Sequence, residues 1–254
     1  MSVASASIHG LAYYKPRLEA TFRLFCFPYA GGSALIYRQW ANHLPRQVEV
    51  CPVQLPGRGH RLREAPLNRM SPLVEVVAQQ IRELSGQPFA FFGHSMGATI
   101  AFEIARLLRR ERAPQPLHLF VSGRSAPQVP ETRTPTYNLP EPELIEDLRR
   151  LNGTPSEIFD EPDMLNVMLP LIRTDFEVVQ TYAYEDEPAL DCPITVYGGL
   201  QDQEVKRENL NAWCAQTTAP FRVRLFPGDH FFINANRELL LETLTRDLYE
   251  HRLL

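Results

Sequence analysis

The sequence predicts an α/β fold, a mostly parallel central sheet flanked by helices, and three observations carry that prediction. Six short apolar runs recur along the 254 residues, stretches of helical period separate them, and each run ends at a Gly or Pro turn. The runs are nearly continuous in hydrophobicity and rich in Val, Phe and Ile, as strands buried on both faces must be.

Taken in order, FRLFCFPYAGG (22–32) reads as a strand running into a Gly-rich loop, with helical period over 34–44. VEVCPVQLPG (48–57) is the next strand and 71–85 the next helix; FAFFGHS (89–95) then leads into a helix over 97–112. LHLFVSGRS (117–125), PITVYGG (193–199) and FRVRLFPGD (221–229) complete the strands, with helices at 206–216 and 237–251. One segment breaks the alternation. Residues 126 to about 190 are Pro-rich, then helical in pattern, and structureless loops of that length are uncommon in compact domains. The segment reads as a helical insertion, with Leu144, Leu148, Leu151, Met168, Leu169 and Ile172 on its apolar faces.

Length favours one domain spanning 1–254 with this insertion inside it. Hydrophobic residues at 44% and charged ones at 22% exclude a disordered or fibrous chain. A net charge of -4 gives no reason to expect nucleic acid as a partner. No apolar run reaches the length of a membrane span, and MSVASASIHG lacks the charged and apolar regions of a signal peptide. A cytoplasmic monomer is therefore expected. Cys26, Cys51, Cys192 and Cys214 are scattered without a C-x-x-C pair and read as buried thiols, with no metal site.

Gly93-His94-Ser95-Met96-Gly97 matches G-x-S-x-G between a buried strand and a helix, the context that a nucleophile on a sharp turn requires. Ser95 at a helix N-terminus gains the positive end of the dipole, and the Met96 N–H is placed to donate to an oxyanion. A serine hydroxyl needs a base. Of seven histidines, His230 follows the last strand, and sites on open α/β sheets form beyond the carboxyl ends of strands. His9 and His251 lie near the termini, His43 and His60 in connections, His118 at a strand start, and His94 reads as packing.

The acid belongs between Ser95 and His230 in chain order, and YGGLQDQEV supplies Asp202 and Glu204 directly after a strand. Asp202 is preferred for its shorter side chain and its closeness to the strand end, Glu204 being assigned to the solvated face of the next helix. Asp229 is a further rival, made awkward by adjacency to His230. The loop Phe27-Pro28-Tyr29-Ala30-Gly31-Gly32-Ser33 follows the first strand, and the Ala30 N–H is assigned with that of Met96 to an oxyanion hole.

FCFPYAGGSALIYRQW, PVQLPGRGHR, FFGHSMGATIAFEIA, CPITVYGGLQD and FPGDHFFI, in this order, resemble the type II thioesterases of polyketide and nonribosomal peptide synthesis over residues 22 to 250. That resemblance implies an α/β-hydrolase fold with a helical lid between the sixth and seventh strands. It implies hydrolysis of acyl or aminoacyl groups from the phosphopantetheine arm of acyl or peptidyl carrier proteins, clearing aberrant or stalled units. It also implies Ser95 as nucleophile, Asp202 as acid and His230 as base, with no cofactor beyond the phosphopantetheine that the substrate brings. Tyr29 stands where many members have histidine. Carrier proteins are usually acidic, which makes two basic clusters candidate docking patches: Arg58, Arg61 and Arg63, and Arg106, Arg109, Arg110 and Arg112. Two alternatives use the same triad, a chain-releasing fatty acyl thioesterase and a carboxylesterase on oxygen esters. The AGG loop, in place of a lipase-type HGGG, argues against the second.

Overall fold

The computed structural model describes residues 10–153 and 156–254; His9 lies outside them. Six strands, β1 (Phe22–Phe27), β2 (Val48–Pro52), β3 (Phe89–His94), β4 (Leu119–Ser122), β5 (Ile194–Gly199) and β6 (Phe221–Phe226), form one sheet in the order β2-β1-β3-β4-β5-β6. Every pairing is parallel. The strand order reverses between β1 and β3, which opens a crevice at their carboxyl ends. Among the described residues seven α-helices accompany the sheet: α1 (Met70–Leu84), α2 (Met96–Arg110), α3 (Glu141–Leu151), α4 (Pro162–Gln180), α5 (Arg207–Asn211), α6 (Phe232–Ala235) and α7 (Arg237–Glu250).

Side chains alternate across a strand, so each apolar run feeds two cores. Phe25, Phe27, Phe91, Val121 and Val196 pack on one face with Leu73 and Val77 of α1 and Ile100 and Ile104 of α2. Leu24, Phe92, Phe120 and Tyr197 pack on the other with Leu240, Leu244 and Leu248 of α7. Continuous hydrophobicity in the sequence is thus the record of a sheet covered on both sides.

The expectation of a buried last strand needs correction. β6 is an edge strand, mostly half-buried, and Arg222 and Arg224 on it pair with Asp247 and Glu250 of α7. Charge on an exposed edge discourages pairing with another chain. At the opposite edge, Ala12 N–H donates to Pro52 O and Gln54 N–H to Gly10 O, so the segment before β1 covers β2. The helix expected over 34–44 is two tight 3-10 turns, Ala34–Tyr37 and Trp40–Asn42, which aim the Tyr37 and Trp40 rings at Phe92. Likewise 206–216 divides into α5 and a 3-10 turn, Ala212–Gln216. Cys26 and Cys51 are buried as expected, whereas Cys192 is half-buried and Cys214 exposed.

The helical insertion falls between the fourth and fifth strands, because the sheet has six strands among the described residues and not the longer count implied by the resemblance. It has a small core of its own in Leu144, Leu148, Phe159, Leu169 and Ile172. Its two ends attach to one short stretch of chain. Ala126 N–H donates to Asn209 O and Gln128 Nε2 to Ala212 O on the way out, and Leu190 N–H donates to Gln216 O on the return. No helix among the described residues is long and apolar enough to cross a membrane.

Candidate active site

Ser95 stands between β3 and α2 at φ +52°, a left-handed conformation that non-glycine residues adopt only under constraint. The constraint is visible. Ser95 N–H donates to Ser122 O at 2.8 Å, tying the turn to the end of β4. A Cβ on Gly93 would come within 2.2 Å of Gly97 O, and one on Gly97 within 2.1 Å of Phe27 O, so only glycine lets the elbow close against itself and against β1.

Asp202 follows β5 and its carboxylate is fully engaged. Oδ2 lies 2.9 Å from His230 Nδ1, while Oδ1 accepts the backbone N–H groups of Glu204 at 2.8 Å and Val205 at 3.1 Å. Its side chain is only 1% exposed, so an imidazole bonded to it has little freedom to turn. An ionised carboxylate only accepts, which puts the imidazole proton on Nδ1 and leaves Nε2 with a lone pair. Among the described residues, the Ser95 hydroxyl makes no hydrogen bond to His230; the two side chains meet as walls of one cavity of about 850 Å³. Such bonds are often long before substrate arrives.

The Tyr29–Gly32 turn forms another part of that cavity, with Gly32 N–H donating to Tyr29 O. Gly31 N–H is bound by Asp175 Oδ2 at 2.7 Å. The Ala30 and Met96 N–H groups, by contrast, have no acceptor among the described residues. Those are the two donors that the sequence assigns to an oxyanion.

The rival acids are occupied elsewhere. Asp229 accepts from Phe231 N–H and from Asn152 Nδ2. Glu204 is not on a solvated helix face: it precedes α5, is largely buried, and receives Arg133 and Arg150. Neither reaches the imidazole. His94, read as packing, is fully buried, bonds Ser122 Oγ through Nδ1, and lies 5.1 Å from the His230 ring. Burial pushes its pKa well below the usual imidazole range. A neutral ring there spares His230 a second positive charge. Tyr29 packs edge-on against His94 and Phe231, and burial raises its phenol pKa, so it adds a neutral wall.

Both basic clusters offered for docking are largely committed inside the molecule. Arg58 is buried and holds Asp175 in a two-point ion pair, and Arg61 is buried against Glu64. Arg106, Arg109 and Arg110 converge on Glu187, stapling α2 to the chain that returns from the insertion. Sequence reasoning passed over Asp175 altogether. Its signal in the sequence is weak, since LPLIRTDFEVV carries Arg173, Thr174 and Glu177 beside Asp175 among its apolar residues.

The cavity roof is apolar, with Leu148 and Leu151 of α3 and Met168, Ile172 and Phe176 of α4. Among the described residues no group of three His, Cys, Asp or Glu side chains is placed to hold a metal. Ser95, His230 and Ala30 line one cavity, the Met96 N–H follows the serine on its turn, and a carboxylate orients the imidazole, an arrangement of the kind that nucleophilic acyl transfer requires.

A parallel sheet of this order, with serine on the elbow after β3 and the acid and histidine after β5 and β6, defines an α/β-hydrolase fold. A thioesterase domain model matches residues 22–248, and the chain belongs to the thioesterase family, hydrolases acting on thioesters. It is similar to the gramicidin S biosynthesis protein GrsT of Aneurinibacillus migulanus, at 44% identity over 229 residues covering 90% of each chain. Among solved structures it resembles RedJ, a thioesterase from the prodiginine pathway of Streptomyces coelicolor, with TM-score 0.81 and 43% identity over 89% of this chain and 90% of that one. It also resembles BorB, the type II thioesterase of the borrelidin biosynthetic cluster, with TM-score 0.85 and 36% identity over 95% and 97% of the two chains.

Proposed function

We propose that this protein hydrolyses acyl or aminoacyl thioesters on the phosphopantetheine arm of carrier proteins, removing aberrant or stalled units from a polyketide or nonribosomal peptide assembly line. The observation that carries the reading is the 2.9 Å pair between His230 Nδ1 and Asp202, on a cavity that also holds the constrained Ser95. The names of GrsT and BorB supply the biosynthetic setting.

His230 Nε2 takes the Ser95 proton as Oγ attacks the thioester carbonyl. The resulting oxyanion rests on the Ala30 and Met96 N–H groups, and Asp202 supports the imidazolium. Collapse expels the pantetheine thiolate, which takes the proton from His230 and leaves an ester on Ser95. Water then repeats the attack, releasing the free acid and restoring the serine. The cycle uses no metal or organic cofactor of the protein's own. The helical insertion acts as the lid, its apolar roof accepting the acyl chain. The working form is a monomer in the cytoplasm that meets carrier domains in solution.

A second reading is favoured by that roof: release of fatty acyl chains from a fatty acid synthase carrier. Mass spectrometry of a panel of acyl, aminoacyl and medium-chain fatty acyl carrier proteins, incubated with wild type and with Ser95→Ala, tests both. Deacylation of short and aminoacyl carriers by wild type alone is the expected result; turnover confined to fatty acyl carriers supports the second reading. A higher kcat/KM on a matched oxygen ester than on the thioester would overturn both in favour of a carboxylesterase.

A further inference from the structure

The turn that carries Ala30 is held from outside by a buried ion pair. Asp175, on α4, is 1% exposed, and Arg58, in the connection after β2, is 5% exposed. The guanidinium donates through Nη1 to Asp175 Oδ2 and through Nη2 to Oδ1, both at 2.7 Å, and Nη1 also reaches Gly32 O at 2.9 Å. Asp175 Oδ2 in turn accepts the Gly31 N–H at 2.7 Å. Gly31 has φ +75°, and Gly32 N–H donates to Tyr29 O, so Tyr29–Gly32 is a turn with its third residue left-handed, as in type II. In such a turn the central peptide decides the conformation. Here that peptide joins Ala30 to Gly31, and its N–H is the group Asp175 holds.

α4 also supplies Ile172, whose Cγ1 would lie 2.9 Å from a Cβ on Gly31, and Met168 and Phe176 on the cavity roof. One helix therefore touches both the space for the acyl chain and the peptide beside the oxyanion donor. If α4 lifted, Gly31 N–H would lose its acceptor and Arg58 would be left as a buried charge without its partner. The Ala30 C=O and Gly31 N–H would then be free to turn over, and the Tyr29–Gly32 turn that holds the preceding peptide, whose Ala30 N–H is the oxyanion donor, would lose its outer anchor.

We propose that Asp175 and Arg58 are positioning residues for the oxyanion hole, and that the hole is complete only while α4 is seated over the cavity. The inference rests on the reading that Ser95 attacks a thioester with Ala30 N–H as an oxyanion donor. It adds that an acyl chain filling the roof acts on rate as well as on binding, because contact with Met168, Ile172 and Phe176 favours the seated helix. Binding energy from a remote part of the substrate then appears in kcat.

The test uses the full chain as wild type, D175N and R58M/D175L, with acetyl- and octanoyl-pantetheine thioesters and an alkyl trifluoromethyl ketone that mimics the tetrahedral intermediate. The double variant removes both charges, so it leaves no buried ion unpaired and keeps the test usable where D175N folds poorly. Circular dichroism and thermal melting establish that each variant is folded. For the folded variants kcat on the octanoyl thioester is expected to fall about 10- to 100-fold with KM within about threefold, since small displacements of a reacting group cost that much. The ketone Ki should rise in parallel, and the kcat advantage of octanoyl over acetyl should shrink. Wild-type kcat in a folded variant, or a loss confined to KM, overturns the proposal. Ser95→Ala separates the two levels: if it still hydrolyses the thioester, the acyl-enzyme reading falls; if it is inactive while the Asp175 variants run at wild-type speed, this inference alone falls.

Discussion

The sheet and the helical insertion are built from different forces. Ser95, Asp202 and His230 sit on turns directly beyond buried strands, and beneath them two apolar cores leave Phe25, Phe92, Phe120 and Val196 fully buried. Among the described residues the insertion has five buried residues for a core of its own; Ala126 and Val178 reach the main core, and ion pairs supply much of the remaining attachment, Arg133 and Arg150 to Glu204, Arg69 to Glu177, Arg58 to Asp175. Hydrophobic burial is insensitive to salt and direction, whereas half-exposed ion pairs are weak one at a time and screened by ions. A fixed floor and a separately fastened roof follow from that division.

The largest expected effect lies on the floor. Ser95→Ala should lower thioester kcat by about 10⁴- to 10⁶-fold with no change in melting temperature beyond a few degrees, read by steady-state kinetics. Asp202→Asn should cost about 10⁴-fold, because an amide stabilises the wrong imidazole tautomer. Next come the two cores. Phe92→Ala should cost about 3–5 kcal/mol of global stability in a denaturant titration. Leu144→Ala deletes a comparably buried side chain in the insertion, yet it should raise hydrogen exchange in α3 and α4 while leaving sheet amides protected. Equal exchange in both regions would break the distinction.

Mild acid probes the sheet through its buried histidines. Burial, followed by the charges of His251 and Arg222, lowers the His118 pKa to about 3. The unfolded imidazole takes a proton near pH 6.5 that the folded one refuses, so stability is lost as pH falls through 6.5 and the loss grows until about 3. That loss is about 4–5 kcal/mol at most, and buried His94 adds to it with the same sign. His118→Gln should keep a bond to Thr195 and flatten the fall in melting temperature over this range. The smallest effect belongs to the roof fastening: Glu204→Gln should cost under about 1 kcal/mol and speed exchange in α3, and high salt should reproduce this in wild type.

Legibility in the sequence followed the same line. The positions of Ser95, Asp202 and His230 just past strands are legible because each depends on a local pattern, an apolar run followed by a glycine or proline turn. The Arg58–Asp175 pair joins residues 117 apart, and Arg133–Glu204 residues 71 apart. Charge partners at that range leave no periodic trace, so arginines in PGRGHR and along α2 resembled a surface for partners when most are internal ties. The edge position of β6 was hidden for a related reason: its apolar content matches a central strand, and only Arg222 and Arg224 betray it.

The insertion leaves from and returns to the same stretch, with Ala126 and Gln128 tied to Asn209 and Ala212 and Leu190 tied to Gln216. Such a segment is a natural cassette. Exchanging residues between those ties for the corresponding piece of a relative should transplant acyl preference while the three residues of the floor stay where they are. The graft carries one condition, that the incoming helix bring a carboxylate to meet Arg58.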